Sequence, residues 1–265
     1  MKILHRVSLY NADPGELRDI ERMGLKLDRG GAVLVPESDA RWRGLSLWAA
    51  EHRRNDGVST EFSQRELDDA PWLQVVAAWH HGYPEPAGDN GYQELTYDPA
   101  SRCPGCGNLT RQVAPFRMAG EPKWGNRSIL QLYWVYDQYF ARPEVHEAVF
   151  APLGIASRPV LNRRGSELRT VVQLVIDEEV PLDLACQPRE TCASCGEPQY
   201  AFMVRGPSAL PLAEPRGHLA WSREWFGSGW QTDHAVLASQ ALRRAILAAG
   251  ARGVGFRPAT GILCP

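Results

Sequence analysis

The 265-residue chain predicts an α+β fold: duplicated cysteine-knuckle, strand and helix units, preceded by an N-terminal α/β extension. Three observations carry that expectation. The pattern Cys-x-x-Cys-Gly occurs twice, at Cys103-Pro104-Gly105-Cys106-Gly107 and at Cys192-Ala193-Ser194-Cys195-Gly196. Each knuckle leads through an aromatic-rich stretch to a short amphipathic segment, a glycine and an Arg-Pro exit. The first 90 residues show neither pattern, and the turn-rich stretch from Tyr83 to Gly91 sets an expected boundary between residues 1–91 and 92–265.

At the N-terminus, Ile3, His5, Val7 and Leu9 alternate as in a half-buried strand. Asp13, Pro14 and Glu16 then read as N-cap, first helical residue and capping-box acid. The helix they open carries Leu17 and Ile20 on one face and stops at Gly24. Gly31 to Pro36 reads as a second strand. Ala70-Pro71 precedes an expected second helix with Trp72, Val75, Val76 and Trp79 inward and His80-His81 at its end.

Beyond the first knuckle, Leu109 to Met118 reads as a strand, as does Gln199 to Val204 beyond the second. Pro143 to Gly154 and Ser239 to Gly250 align on their terminal glycines. Val145/Ala241, Val149/Ala245, Phe150/Ile246 and Leu153/Ala249 then share one helical face. Pro143 suits a first helical turn, Ser239 an N-cap, and the two glycines left-handed helix ends. The apolar run from Thr170 to Ile176 is expected as a central strand joining the halves, with Leu182 and Leu184 continuing it.

A thiolate pair two residues apart, followed by Gly, wraps one side of a tetrahedral zinc ion. Cys103, Cys106, Cys192 and Cys195 together make a complete, closed four-cysteine site, so the expected cofactor is structural zinc. The knuckles lie far apart in sequence, but closing a loop of ~85 residues costs about 4 kcal/mol. Zinc binding to such a site is worth about 10–16 kcal/mol. The competing readings are redox pairs or buried thiols, and strands after the knuckles disfavour the redox one. Cys186 and Cys264 have no obvious local partner, which suggests a reducing, cytoplasmic compartment.

Composition excludes several classes. No apolar run approaches the ~18 residues of a membrane span, and the net charge of −2 supplies no basic field for nucleic acid. Charge is uneven: residues 1–100 carry 11 basic and 17 acidic side chains, and residues 101–265 carry 18 and 14. No catalytic constellation stands out, so no enzyme is expected. Asp177-Glu178-Glu179 reads as a solvated turn, and adjacent His80 and His81 make a poor chelate on a helix. A deaminase site needs His-x-Glu before Pro-Cys-x-x-Cys, and the chain lacks it. Trp124, Tyr133, Trp134, Tyr136, Tyr139 and Phe140 concentrate aromatic surface in the first unit. Most should be core, the remainder a contact surface.

The two distant CxxCG motifs, with Leu242, Gly250, Val254, Phe256, Arg257 and Pro258 at the C-terminal end, resemble the double-CxxCG-motif family of myxobacteria. That family comprises immunity proteins of swarming-inhibition toxin systems. The resemblance covers roughly residues 92–260, and the leader of about 90 residues departs from the family pattern. It implies a cytoplasmic antitoxin that binds and occludes a cognate toxin domain, its zinc structural. The alternative is a zinc-ribbon nucleic-acid-binding or regulatory protein, with Arg158, Arg163, Arg164 and Arg169 as its footprint.

Overall fold

The computed structural model describes residues 1–88, 91–108, 111–229 and 231–263. It is mixed α+β, mostly sheet, and divides into two compact units. The first comprises Met1–Glu66 with Met203–Pro207; the second comprises Leu67–Phe202 with Ser208–Pro265.

In the first unit, strands β1 (Lys2–Ser8), β2 (Ala32–Pro36) and β3 (Asp56–Glu61) form an antiparallel sheet ordered β2-β1-β3. Helices α1 (Pro14–Arg22) and α2 (Trp42–Glu51) supply Ile20, Leu45 and Trp48 to a core with Val7, Val33 and Val35. The capping box at α1 is complete: Asp13 accepts from the Glu16 N–H, and Glu16 accepts from the Asp13 N–H. The segment from the distant 203–207 stretch is tied in by the Gly206 N–H donating to Thr60 Oγ1 at 2.9 Å and by an Arg205–Glu37 ion pair at 2.8 Å.

The division between units falls at α3 (Gln64–Asp69), not at residue 91. The reason is β4 (Trp72–Ala77), which replaces the expected Trp-rich helix. Trp72, Leu73 and Val75 are buried, whereas Val76 is exposed. A helix and a two-sided strand share much of this apolar spacing, and the adjacent β-branched valines favour the strand. Antiparallel pairing to strands on both sides makes β4 an interior strand of the second unit.

Next along the second unit come α4 (Gly91–Thr96), β5 (Arg117–Met118), β6 (Ile129–Leu132) and β7 (Val135–Ala141). Helix α5 (Pro143–Val145) runs on through a π turn at His146–Phe150 and a 3-10 turn at Ala151–Leu153, then stops at left-handed Gly154. Strands β8 (Ser157–Asn162), β9 (Glu167–Leu174), β10 (Glu179–Val180), β11 (Arg189–Thr191) and β12 (Pro198–Tyr200) follow. The chain ends with β13 (Leu219–Ser228), β14 (Gln231–Ser239), α6 (Gln240–Ala248) and β15 (Val254–Pro258). Ser239 caps α6 by accepting from the Leu242 N–H, and Gly250 takes a left-handed φ of 62° beyond it.

Two sheets result, β5-β8-β9-β7-β6 and β11-β12-β13-β14-β4-β15, with β10 beside β13. Their central portions share one order and one set of directions. A hairpin (β6–β7, β13–β14) is followed by an inserted antiparallel strand (β9, β4) and then the strand leaving the helix (β8, β15). The inserted strand follows the helix in one sheet and comes from upstream of the first knuckle in the other. Thr170–Ile176 therefore does not join the halves; its β9 portion lies between β7 and β8. The short strands after the knuckles also differ, since β5 lies parallel to β8 and β12 parallel to β13. Residues 109 and 110 lie outside the described residues, and of the described part of the first post-knuckle strand, Arg117–Met118 forms.

Val149 and Phe150 from the first helical segment, and Leu242 and Ile246 from α6, meet Ile129, Tyr139, Val236 and Ala238 in one core. Gly253 lets β15 approach β6. A Cβ there would stand 1.8 Å from the Ile129 carbonyl oxygen, at a φ of 121°. The adjoining Arg252 carbonyl accepts from both Ser128 and Ile129 N–H groups. Gly253→Ala should therefore cost about 3 kcal/mol or more, read as a lowered denaturation midpoint.

Candidate metal centre and acidic cavity

The two knuckles close in the same way. The Cys103 N–H donates to the Asn108 carbonyl (3.1 Å) and the Gly107 N–H to the Cys103 carbonyl (2.8 Å). In the second, the Cys192 N–H donates to the Glu197 carbonyl (3.0 Å) and the Gly196 N–H to the Cys192 carbonyl (2.9 Å). Both turns need a positive φ at the closing glycine, 72° at Gly107 and 76° at Gly196.

The structure brings the four predicted ligands together, all sulfurs within 4.8 Å of one another. Cys103 and Cys192 Sγ are 3.8 Å apart, and Cys106 and Cys195 Sγ 3.7 Å apart. A tetrahedron with metal–sulfur bonds of about 2.3 Å has edges of about 3.8 Å, so the cluster has the dimensions of a four-thiolate metal site. All four cysteines are free. Backbone N–H groups of Cys106 and Gly105 hold the Cys103 thiol down, to about 6, whereas burial pushes Cys106 up to about 12. The Cys195 and Ser194 N–H groups lower Cys192 in the same manner as at Cys103. Each knuckle thus presents a leading cysteine whose thiolate the loop backbone already favours.

Gly105 sets the distance between the knuckles. A Cβ there would lie 2.8 Å from Ser194 Cβ and 3.1 Å from Cys192 Sγ. Gly105→Ala is expected to spread the pairs and weaken metal binding by about 10-fold or more, measured by competition with a chromophoric chelator.

Cys186 is disulfide-bonded, so it is not a ligand and not the partnerless thiol expected from sequence. That removes the argument for a reducing compartment. Cys264 lies outside the described residues. Among the described residues, no helix is long and apolar enough to cross a membrane.

His80 and His81 do not end a helix. They lie on an extended segment beside β6, where the His81 N–H donates to the Gln131 carbonyl, and His80 stacks on Tyr133 at 5.3 Å. Burial lowers both imidazoles, keeping them neutral. Glu178 organises a turn, accepting from the Arg216 and Gly217 N–H groups at 2.9 Å each. His146 Nε2 lies 2.9 Å from the Ile155 carbonyl oxygen, which can only accept, so this nitrogen carries the proton and donates.

A second constellation adjoins the first knuckle and was not expected. A cavity of about 260 Å³ is lined by Gly107 and Asn108 of the knuckle, by aromatic rings including Tyr97, Trp134 and Trp225, and by Asp137 and Asp233. Asp137 is on β7 and Asp233 on β14. The Tyr136 N–H donates to Asp233 Oδ1 at 3.0 Å, while the His234 N–H supports Asp137. Burial raises both carboxyls, Asp137 to about 6 and Asp233 well above its ordinary value, and the charge of Asp137 raises Asp233 further. One sequence signal could have found them. Alignment on Gly154 and Gly250 sets Trp134-x-x-Asp137 against Trp230-x-x-Asp233.

No protein-family model matches the chain, and no curated protein is significantly similar to it.

Proposed function

We propose that the chain is an immunity protein that binds and blocks a cognate toxin domain, with one structural zinc on Cys103, Cys106, Cys192 and Cys195. The observation that carries a protein-binding role is a cluster of exposed aromatic rings in the second unit. Tyr83, Tyr133, Trp134 and Tyr136 are each about two-fifths exposed and touch one another or His80. Aromatic side chains left in water at this density are typical anchors of protein interfaces. Four thiolates complete a tetrahedron and leave no open position for a reacting group, which suits a structural metal. The antitoxin class and a cytoplasmic site of action rest on the double-CxxCG resemblance.

The shared strand order of the two sheets supports a duplicated origin for the knuckle–strand–helix units. In this reading the metal ties together two copies of one unit.

A second reading has its own support. Arg158, Arg163, Arg164 and Arg169 are all exposed on or beside the β8–β9 hairpin, as a zinc-ribbon nucleic-acid binder would require. Affinity capture of the full chain from its native cells, with mass spectrometry and nuclease-treated controls, separates the two. A near-equimolar polypeptide whose toxicity the chain suppresses is the expected result. Recovery of nucleic acid alone, with salt-dependent binding, would overturn the antitoxin reading.

A further inference from the structure

The cavity beside the first knuckle has two carboxyl groups and no cationic side chain in its described lining. Neither Asp137 nor Asp233 forms an ion pair among the described residues, and the described lining includes no Lys or Arg. Holding a buried and a half-buried carboxyl among aromatic and neutral polar neighbours is costly unless a positive group joins them. The titratable and charged groups near them are Tyr92, Tyr97 and Tyr139, with the Arg102 guanidinium held on Gln93 of the lining at 2.7 Å; the imidazole of His234, next to Asp233 in sequence, is held at about 4 by burial and so is neutral near pH 7.

A second observation points the same way. Asn108 is 94% buried and lines the cavity; its Oδ1 accepts from the Thr232 hydroxyl. Its Nδ2 is buried with no hydrogen-bond partner among the described residues. With the amide in this orientation, Nδ2 is left as a buried donor that calls for an acceptor on an incoming group.

The mouth is built from strained backbone. Trp134 holds a φ of 69° in the tight turn between β6 and β7, a conformation unusual for so large a side chain. Its ring lies 4.4 Å from that of Tyr83, and it is both part of the exposed aromatic cluster and part of the cavity lining. Such strain is retained where the placement of a side chain matters.

We propose that this cavity receives an arginine side chain of the protein partner, its guanidinium between Asp137 and Asp233 and against the rings of Trp134 and Trp225. The inference rests on the protein-binding reading above. A guanidinium is planar, carries five donors for two carboxylates, and stacks on aromatic faces. The Asn108 amide would donate to a carbonyl of the same partner segment. At about 260 Å³ the space is slightly below the usual range for small-molecule sites, and suits one inserted side chain. Entry of the cation supplies the positive charge that the carboxyl pair lacks and favours its ionised form, any proton released passing to solvent.

The test uses the full chain and N-ethylguanidinium, with N-ethylurea as a neutral probe of similar shape. Protein NMR follows the indole N–H signals of Trp134 and Trp225 and the side-chain amide of Asn108. Saturable shifts with the guanidinium are expected, at least about tenfold weaker for the urea. They should be lost in Asp233→Asn and in Asp137→Asn, each shown folded by its dispersed spectrum. Equal response to the urea, persistence of the shifts in both variants, or no saturable response would overturn the proposal. A silent titration rejects the cavity whatever affinity capture returns, whereas an empty capture rejects the protein-binding reading and leaves the cavity's guanidinium selectivity standing.

Discussion

Stripping the metal from the purified chain with a strong chelator is expected to lower its melting temperature by about 10 °C, and added zinc at micromolar concentration should restore it where magnesium and calcium do not. The argument is one of linkage. A ligand present at about 1,000 times its dissociation constant stabilises the folded state by about 4 kcal/mol, and four-thiolate zinc sites reach such ratios at micromolar metal. For a unit of this size each kcal/mol moves the melting temperature by roughly 2–4 °C. Elemental analysis should return one zinc per chain. Cys106→Ser gives the same loss by another route, since Cys106 is the buried member of the cluster, 2% exposed. The double variant Cys106→Ser/Cys195→Ser should be no less stable than wild type measured in chelator. A chain that melts unchanged in chelator, or one that carries no metal as purified, would remove the structural-zinc reading.

How much of this was written in the sequence depends on how local the signal is. The knuckles were readable because Cys-x-x-Cys-Gly fixes its own turn: Gly107 and Gly196 take the positive φ that the spacing requires. The caps were readable for the same reason. Asp13 and Ser239 bond to N–H groups two to three residues away, and no tertiary context is needed to place them. The strand β4 was not readable. Its identity is decided by β14 and β15, some 160 and 180 residues downstream, and a Val-Val pair between aromatics satisfies both periods until those neighbours are known. The missed strand then misplaced the boundary, because β4 belongs to the sheet beyond it. Asp137 and Asp233 were hidden differently. A single aspartate in a strand reads as a solvent-facing residue, and only the packing of two hairpins within the second unit buries Asp137 and half-buries Asp233. Their shared offset with Gly154 and Gly250 was visible, but an offset states equivalence, not proximity.

The same pair supports the second large effect, a stability that falls as pH rises. Both carboxyls have folded-state values above the ordinary 3.8, chiefly through burial, with Asp137 near 6. Below about pH 4 both folded and unfolded chains hold these protons, and the pair costs nothing. Above about 4 the unfolded chain releases protons that the folded chain retains, so the unfolding free energy declines with pH; the Asp137 penalty is complete above about 6, and that of Asp233 grows until pH passes its own raised folded value. A shift of about two units in one carboxyl corresponds to about 3 kcal/mol. Asp39 and Glu66, each lowered to about 2, act in the opposite sense, their stabilisation being lost as pH falls from about 4 toward 2; both belong to the first unit. The two effects therefore fall in different pH windows and in different units. Asp233→Asn removes one ionisable carboxyl, keeps the side-chain shape, and retains an acceptor for the Tyr136 N–H. It should raise the midpoint of chemical denaturation at pH 8 by the equivalent of about 1–3 kcal/mol, and by much less at pH 4.5. If the gain were the same at both pH values, the substitution would be acting through packing and not through charge. A loss at pH 8 would mean that a cation, not a proton, already compensates the pair in the purified protein, and elemental analysis alongside the melt would identify it.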